Sequence, residues 1–327
     1  MKLIHNLEDV MFSIEECPIY CDMREARGLN QRIPIHGKKA LIHPTNNTVL
    51  GVVGRDYEVV TNRDALDWAY QCCTTIFSET KAEEWTVQRI DASSTLSTCC
   101  MDLVHRTPTL DFSVKSTRYQ PENYGPFVRV RNSFNGQRAL SFHVGFYRKV
   151  CSNGMILRES LVSFRFNHVR HEIGYQPSFN VDPVRVIKMR AMLSQYIAIL
   201  SDVRVTRLQF VPLVQVALGI HKPRNVDNDR NARQAWNILM THLENIAERY
   251  SKEMGETAYA VLNTATEFAS QPPTNRCLYR TRHSLQQEAG LWLSDFSNES
   301  QTSDFDLDTY IRSHQETVST KPRNPRS

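Results

Sequence analysis

The stretch from Phe127 to Met155 limits what this chain can fold into more than any other. It reads Phe127-Val128-Arg129-Val130-Arg131, a turn at Asn135-Gly136, then a returning strand from Arg138 to Phe146. Asn-Gly is a strong hairpin signal, because both central residues of the favoured turn need positive φ. Side chains alternate across a strand, so Phe127, Arg129 and Arg131 share one face and Val128 and Val130 the other. On the returning strand Leu140, Phe142, Val144 and Phe146 point to the core, leaving Ala139, Ser141, His143 and Gly145 on the outer face beside the arginines. Val150-Cys151-Ser152-Asn153-Gly154-Met155 follows. Cys151, Ser152, Asn153 and Gly154 read as a structural turn, with Asn-Gly supplying positive φ and Ser and Asn bonding their own backbone.

Strand patterns precede the hairpin. Arg32-Ile33-Pro34-Ile35 carries a proline and suits an edge or strand entry. Ala40–Ile42 and Val49–Val53 flank a hairpin loop at Pro44-Thr45-Asn46-Asn47, and Tyr57–Val60 reads as a further strand. Thr61 and Asn62 offer N-cap oxygens to a helix whose Ala65, Trp68, Cys72 and Ile76 make one apolar face. Trp85–Ile90, Leu96–Val104 and Leu161–Phe166 complete the strands. Near Asn180 helical spacing takes over. One helix opens at Asp182-Pro183 and carries Val186, Met189, Leu193, Tyr196, Ile197 and Leu200, a second covers Asp229–Met254, and a third Glu256–Phe268. Strands followed by helices predict an α+β fold, an antiparallel sheet crossed by helices and then a mainly helical C-terminal region. The expected layout is an N-terminal segment (1–30), a β-rich domain with one helix (31–180), a helical region packed on it (181–295) and a disordered polar tail (296–327).

Composition narrows the function classes. No run approaches the roughly 20 apolar residues that span a bilayer, and Glu8 and Asp9 interrupt any signal-peptide pattern near Met1, so a cytoplasmic protein is expected. Of the eight cysteines, the vicinal pairs Cys72-Cys73 and Cys99-Cys100 suit buried thiols in a reducing compartment. The formal charge is +4, but Ser294–Ser327 holds six acidic and four basic residues, so the body before it carries +6. That balance suits a polyanion, though proteins without one share it.

Arginines over small polar residues can receive a phosphate backbone, because guanidinium groups chelate phosphate and stack on bases. Arg148 and Lys149 extend the charge of the hairpin face, Arg165 adds to it from a further strand, and Tyr147 offers a stacking ring. The plain alternative is a solvated sheet face. Cys151 as a reactive thiolate lacks a placed histidine. Cys17 and Cys21 form one pair where a structural zinc site needs four ligands. His168-Val169-Arg170-His171-Glu172 does not match the metalloprotease helix, and Gly51-Val52-Val53-Gly54 lacks the lysine and hydroxyl of a phosphate loop. Asp56, Asp64 and Asp67 sit near a helix start, where the dipole favours them. No catalytic residue, metal or cofactor is expected.

The chain resembles the phage/plasmid-like proteins grouped as domain of unknown function 932. The resemblance rests on Gly54–Asn62, Val130–Gly136, Val150–Met155, Thr257–Thr266 and Gly290–Leu293, in that order. It implies cargo of a phage, plasmid or integrated element. The layout, a curved sheet with a long helix and a basic hairpin, is in turn similar to single-strand annealing proteins of the Rad-fifty-two type, which form rings and bind single-stranded DNA without enzymatic chemistry. Fold-level analogy does not fix function. The expectation is a non-enzymatic, homo-oligomeric protein binding single-stranded DNA in annealing or recombination, with Arg129, Arg131, Arg148, Lys149 and Arg165 as phosphate contacts. The alternatives are a protein–protein factor acting against host defence or restriction, for which Asp304–Asp308 suits a partner groove, and an uncharacterised enzyme.

Overall fold

The structure, a computed structural model, describes residues 2–24, 30–107, 109, 111–114, 122–149, 153–156, 163–169, 178–180, 183–224 and 226–320. In chain order the strands are β1 (Lys2–Ile4), β2 (Glu15–Arg24), β3 (Asn30–Ile42), β4 (Val49–Gly54), β5 (Trp85–Ala92), β6 (Thr98–His105), β7 (Phe112–Val114), β8 (Glu122–Ser133), β9 (Leu140–Arg148), β10 (Asn153–Ile156) and β11 (Ser163–Phe166). The helices are α1 (Asn62–Ile76), α2 (Pro183–Asp202), α3 (Arg207–Leu218), α4 (Arg230–Met254), α5 (Ala258–Ser270), α6 (Arg282–Glu299) and α7 (Leu307–Thr320). The fold is α+β. A curled antiparallel sheet runs β1-β5-β6-β8-β9-β10, with β7 on β8 and β11 on β9, and a second sheet runs β2-β3-β4. The chain divides into two compact units, Met1–Leu110 with Pro126–Val144 and Val162–Arg185, and Asp111–Gly125 with Gly145–Leu161 and Val186–Ser327.

In the first unit α1 begins where the cap residues predict. Thr61 Oγ1 accepts the Asp64 N–H at 3.1 Å while Asp64 Oδ2 accepts the Thr61 N–H at 3.1 Å. Its buried stripe is Ala65, Ala69, Cys72, Cys73 and Ile76, with Trp68 half-buried, and it packs on β6. Burial pushes the Cys72, Cys73 and Cys99 thiols well up, so they stay protonated. The strand expected at Tyr57–Val60 does not form. Tyr57 makes a single bridge to Val169, stacks on His168 with ring centroids 4.6 Å apart, and donates its hydroxyl to the Ser133 carbonyl at 2.6 Å. Side-chain anchoring replaces the ladder there.

The small sheet has its own core of Leu41, Leu50, Val53 and Phe134. Phe134 reaches it from the β8–β9 turn, where Gly136 takes the predicted positive φ of 68°. Gly51 admits the turn, since a Cβ there would stand 2.4 Å from the Phe134 carbonyl oxygen. Pro34 lies where β3 pairs with β2 alone, as its missing N–H requires.

In the second unit α5 is buried on nearly every side, its buried Asn263, Thr264, Thr266 and Ser270 side chains donating to carbonyls of their own helix, and it packs against α3, α4, α6 and β10. Helices α2, α4 and α5 appear where spacing predicts them. Three were not foreseen: α3, which carries Pro212 inside, α6, capped by Thr281, and α7. The tail expected to be disordered instead holds the end of α6 and all of α7. Asp306 caps α7 through the Thr309 N–H at 2.8 Å, and Tyr310 is buried against Phe296 with centroids 5.1 Å apart. Three aromatic rings (Phe296, Phe305, Tyr310) order a segment whose polarity hid them. Asp306 and Phe305 of the acidic-apolar stretch are thus used within the chain.

Candidate functional site

The arginine face of the hairpin exists, but it is covered. Cross-strand partners place Asp102 opposite Arg129, Cys100 opposite Arg131, and Ser141 opposite Arg165. Every residue of β9 is buried, so the outer face assigned to Ser141 and His143 does not meet solvent. Arg129 has 0% exposure, with Nε donating to Asp102 Oδ1 at 2.6 Å and Nη2 to Oδ2 at 2.8 Å. Such a bidentate buried pair leaves no surface for an external phosphate, which corrects the role expected of Arg129. Burial, and secondarily the Arg129 cation, hold the His143 imidazole down at about 4. Arg131 is half-buried and Arg165 exposed, so these two keep access to solvent.

The remaining candidates belong to the second unit. Arg148 is buried and pairs with Glu122 at 2.5 Å, and Lys149 pairs with Asp111. Tyr147 is buried with its ring against Gly125, where a Cβ would come within 3.0 Å of it, so no face is open for a base. The phosphate and stacking roles expected of Arg148, Lys149 and Tyr147 are therefore not supported by their surroundings. The missed signal lay in the acids. Asp102 stands inside the apolar run Cys99–Val104, where a carboxylate needs a buried cation.

Cys151 and Ser152 lie outside the described residues. Asn153 and Gly154 form the start of β10, opposite Arg148 and Tyr147, rather than a turn, and Gly154 does not take positive φ. Asn153 Nδ2 donates to the Tyr250 hydroxyl of α4 at 3.1 Å, and the Gly154 N–H donates to Ser270 Oγ of α5 at 3.0 Å. Gln286 of α6 donates to the same Ser270 oxygen at 3.1 Å. The motif thus ties one strand to three helices.

An accessible cation-rich site lies elsewhere in the second unit, at the end of α3. That helix stops at Gly219, which takes the left-handed conformation at φ 57°. A Cβ at Gly219 would meet Arg280 Nη2 at 2.7 Å, so the glycine lets this guanidinium lie at the helix C-terminus, where the dipole favours a cation. Glu288 of α6 pairs with Arg280 at 2.5 Å. The loop His221–Arg224 then leads to α4, whose N-cap Asp229 accepts the Asn231 N–H at 2.8 Å. The opposite wall is pinned by Asn275, which donates to the Ala235 carbonyl at 2.8 Å and accepts the Cys277 N–H at 2.8 Å.

Between the walls is a cleft of about 760 Å³ lined by His221, Lys222, Arg224, Tyr279 and Arg280. Tyr279 is 75% exposed. Burial, then the Arg280 cation, lower the His221 pKa, with Glu288 opposing them. Lys222 is exposed and holds Asp227 at 2.8 Å. Segments 219–233 and 275–288 together carry seven Lys or Arg and three Asp or Glu, a surplus of four that equals the formal charge of the whole chain. The arrangement can take an oxyanion on its cations and a planar ring on Tyr279. Among the described residues no cluster of His, Cys, Asp and Glu could hold a metal ion, and no helix is long and apolar enough to cross a membrane.

No curated protein and no solved structure matches the chain. One family model does, over residues 49–289, a span that includes all of β4 to β11, the Asn153-Gly154 tie and both walls of the cleft. With more than half of its length matched, the chain belongs to the family described as Domain of unknown function (DUF932).

Proposed function

We propose that this protein is a non-enzymatic, cytoplasmic nucleic-acid-binding protein that takes single strands in the cleft between His221–Arg224 and Cys277–Arg280. The carrying observation is the exposed Tyr279 ring set among Lys222, Arg224 and Arg280 in one cleft. Cations that track a backbone beside an aromatic ring on which a base stacks are the shared chemistry of single-strand binders. Exposed Arg230 and Arg233 of α4 continue the positive surface, and Arg233 Nε reaches back to the Val226 carbonyl at 3.4 Å. The seven described cysteines are all free thiols, in keeping with a reducing compartment.

The test is fluorescence anisotropy of labelled single- and double-stranded DNA at two salt concentrations. Single-strand binding should weaken with salt at a log–log slope of about −0.7 per phosphate contacted. Tyr279→Ala should cost about 1–3 kcal/mol of binding, the worth of one stacked base. Arg224→Glu should weaken binding and flatten the salt slope. Arg131→Glu with Arg165→Glu tests the sheet face instead. If that pair abolishes binding while the Tyr279 and Arg224 variants retain it, the cleft is the wrong site. Absence of binding at low salt would discard the reading.

A further inference from the structure

Granted single-strand binding in the cleft, on which this reading rests, we infer that the strand runs on across the N-terminal half of α4, where Gln234 and Asn237 read two adjacent adenines. α4 changes character at its middle. Glu244–Met254 holds three acids and two cations, with Glu248 and Lys252 paired at 2.7 Å four residues apart, the pattern of a solvated face. Arg230–Leu243 holds two arginines and no acid. The acids just before it are engaged, Asp229 with the Asn231 and Ala232 N–H groups and Asp227 with Lys222. Arg230, Arg233, Gln234, Asn237, Ile238 and Thr241 are all exposed and line one concavity of about 630 Å³. It adjoins the cleft. Arg233 donates through Nε to the Val226 carbonyl and through Nη2 to the Asp227 carbonyl, and Lys222 of the cleft pairs with the same Asp227.

The side chains on this face fit base edges. Among the described residues the Gln234 and Asn237 carboxamides have no protein partner. A carboxamide presents a donor beside an acceptor, the complement of the N6 amino group and N7 of adenine. Guanine shows two acceptors on that edge and suits an arginine fork, but the Arg233 fork is turned to its own loop. Cytosine and thymine offer no N7. Gln234 and Asn237 stand about 4.5 Å apart along the helix axis, near the roughly 3.4 Å step of stacked bases, so each takes one of two neighbouring bases. Ile238, 59% exposed, lays an apolar surface beside them. Arg230, one turn before Gln234, is left for a phosphate.

The test is fluorescence anisotropy of the full chain with three labelled strands of equal length. One is a mixed pyrimidine strand, the second carries a central pair of adenines, and the third has 7-deazaadenine at both places, which lacks the N7 acceptor. The adenine strand should bind at least about 5- to 150-fold tighter than the pyrimidine strand, the size of one bidentate base contact, and 7-deazaadenine should lose most of that gain. Gln234→Ala with Asn237→Ala, both at exposed helical positions that suit alanine, should bring the ratio to about one. Tyr279→Ala should weaken all three strands and leave the ratio standing, so loss of stacking and loss of base reading are told apart. Binding without an adenine preference overturns base reading by α4 and leaves the cleft intact. So does a preference that survives 7-deazaadenine or the double alanine change. If no strand binds at low salt, both fall.

Discussion

Removing the Asp102 carboxylate should test the buried pair more sharply than any change to the arginine. Arg129 is wholly buried and gives two short bonds, 2.6 and 2.8 Å, to that one carboxylate. Asp102→Ala strands a guanidinium in the sheet, and breaking a buried pair in this way costs about 3–5 kcal/mol. A domain of this kind holds roughly 5–15 kcal/mol in all, so the variant should remain folded with much of its margin gone. Replacing both partners, Asp102→Leu with Arg129→Met, removes the stranded charge and should recover most of the loss. Urea unfolding followed by circular dichroism compares the unaltered protein with Asp102→Ala and with the double variant. A loss below about 1 kcal/mol for Asp102→Ala, the range of an exposed pair, would mean that water reaches Arg129. The hairpin face would then be open to phosphate, and its exclusion from the site would be wrong. The same logic warns that Arg129→Glu sets two carboxylates together, so weaker DNA binding in that variant would report misfolding.

Three further outcomes follow from the geometry. His143 sits at about 4 against an ordinary 6.5, so the unfolded imidazole takes a proton first as pH falls. The stability that depends on keeping it neutral is complete above about 6.5 and is lost as pH drops toward about 4, on the order of 3 kcal/mol in all. Thermal unfolding at neutral and acid pH should show a shallower fall in His143→Gln, and an unchanged pH profile would refute the assignment. Asn153→Ala, which removes the amide from Tyr250, should cost about 1–3 kcal/mol by chemical denaturation, and a neutral result would deny the strand its tie to α4. Gly51→Ala drives a Cβ into the Phe134 carbonyl and the Asn135 backbone. It should destabilise by at least the roughly 1–3 kcal/mol of an overpacked core, and a normal melting temperature would show that the turn yields.

Local rules carried much of the fold. The Asn135-Gly136 turn, the Thr61–Asp64 cap and the apolar stripes of α2 and α4 each depend on residues within a few positions of one another. What escaped depends on distant partners. Alternation along β8 put the arginines correctly on one face, yet whether that face meets water is decided by Asp102 on β6 and by the layers around it. Asn153-Gly154 looks like a turn by propensity and becomes a strand because Tyr250 and Ser270, about a hundred residues later, satisfy its polar groups. The cleft escaped for a similar reason. Its walls lie more than fifty residues apart in the chain, and Tyr279 stands in a loop with no periodicity to draw notice.

The meeting of Gly51 with the β8–β9 turn also bears on how the molecule breathes. The β2-β3-β4 sheet has a private core of four buried side chains, of which only Phe134 comes from outside it, from the β8–β9 turn. A patch that small can open while the rest stays shut, as local cooperative units do. Amide deuteration should therefore spread through β2 to β4 as one early-exchanging block, while β6 and β8 wait for global unfolding. Enlarging Gly51 or truncating Phe134 would each loosen this block first and separate the two timescales further.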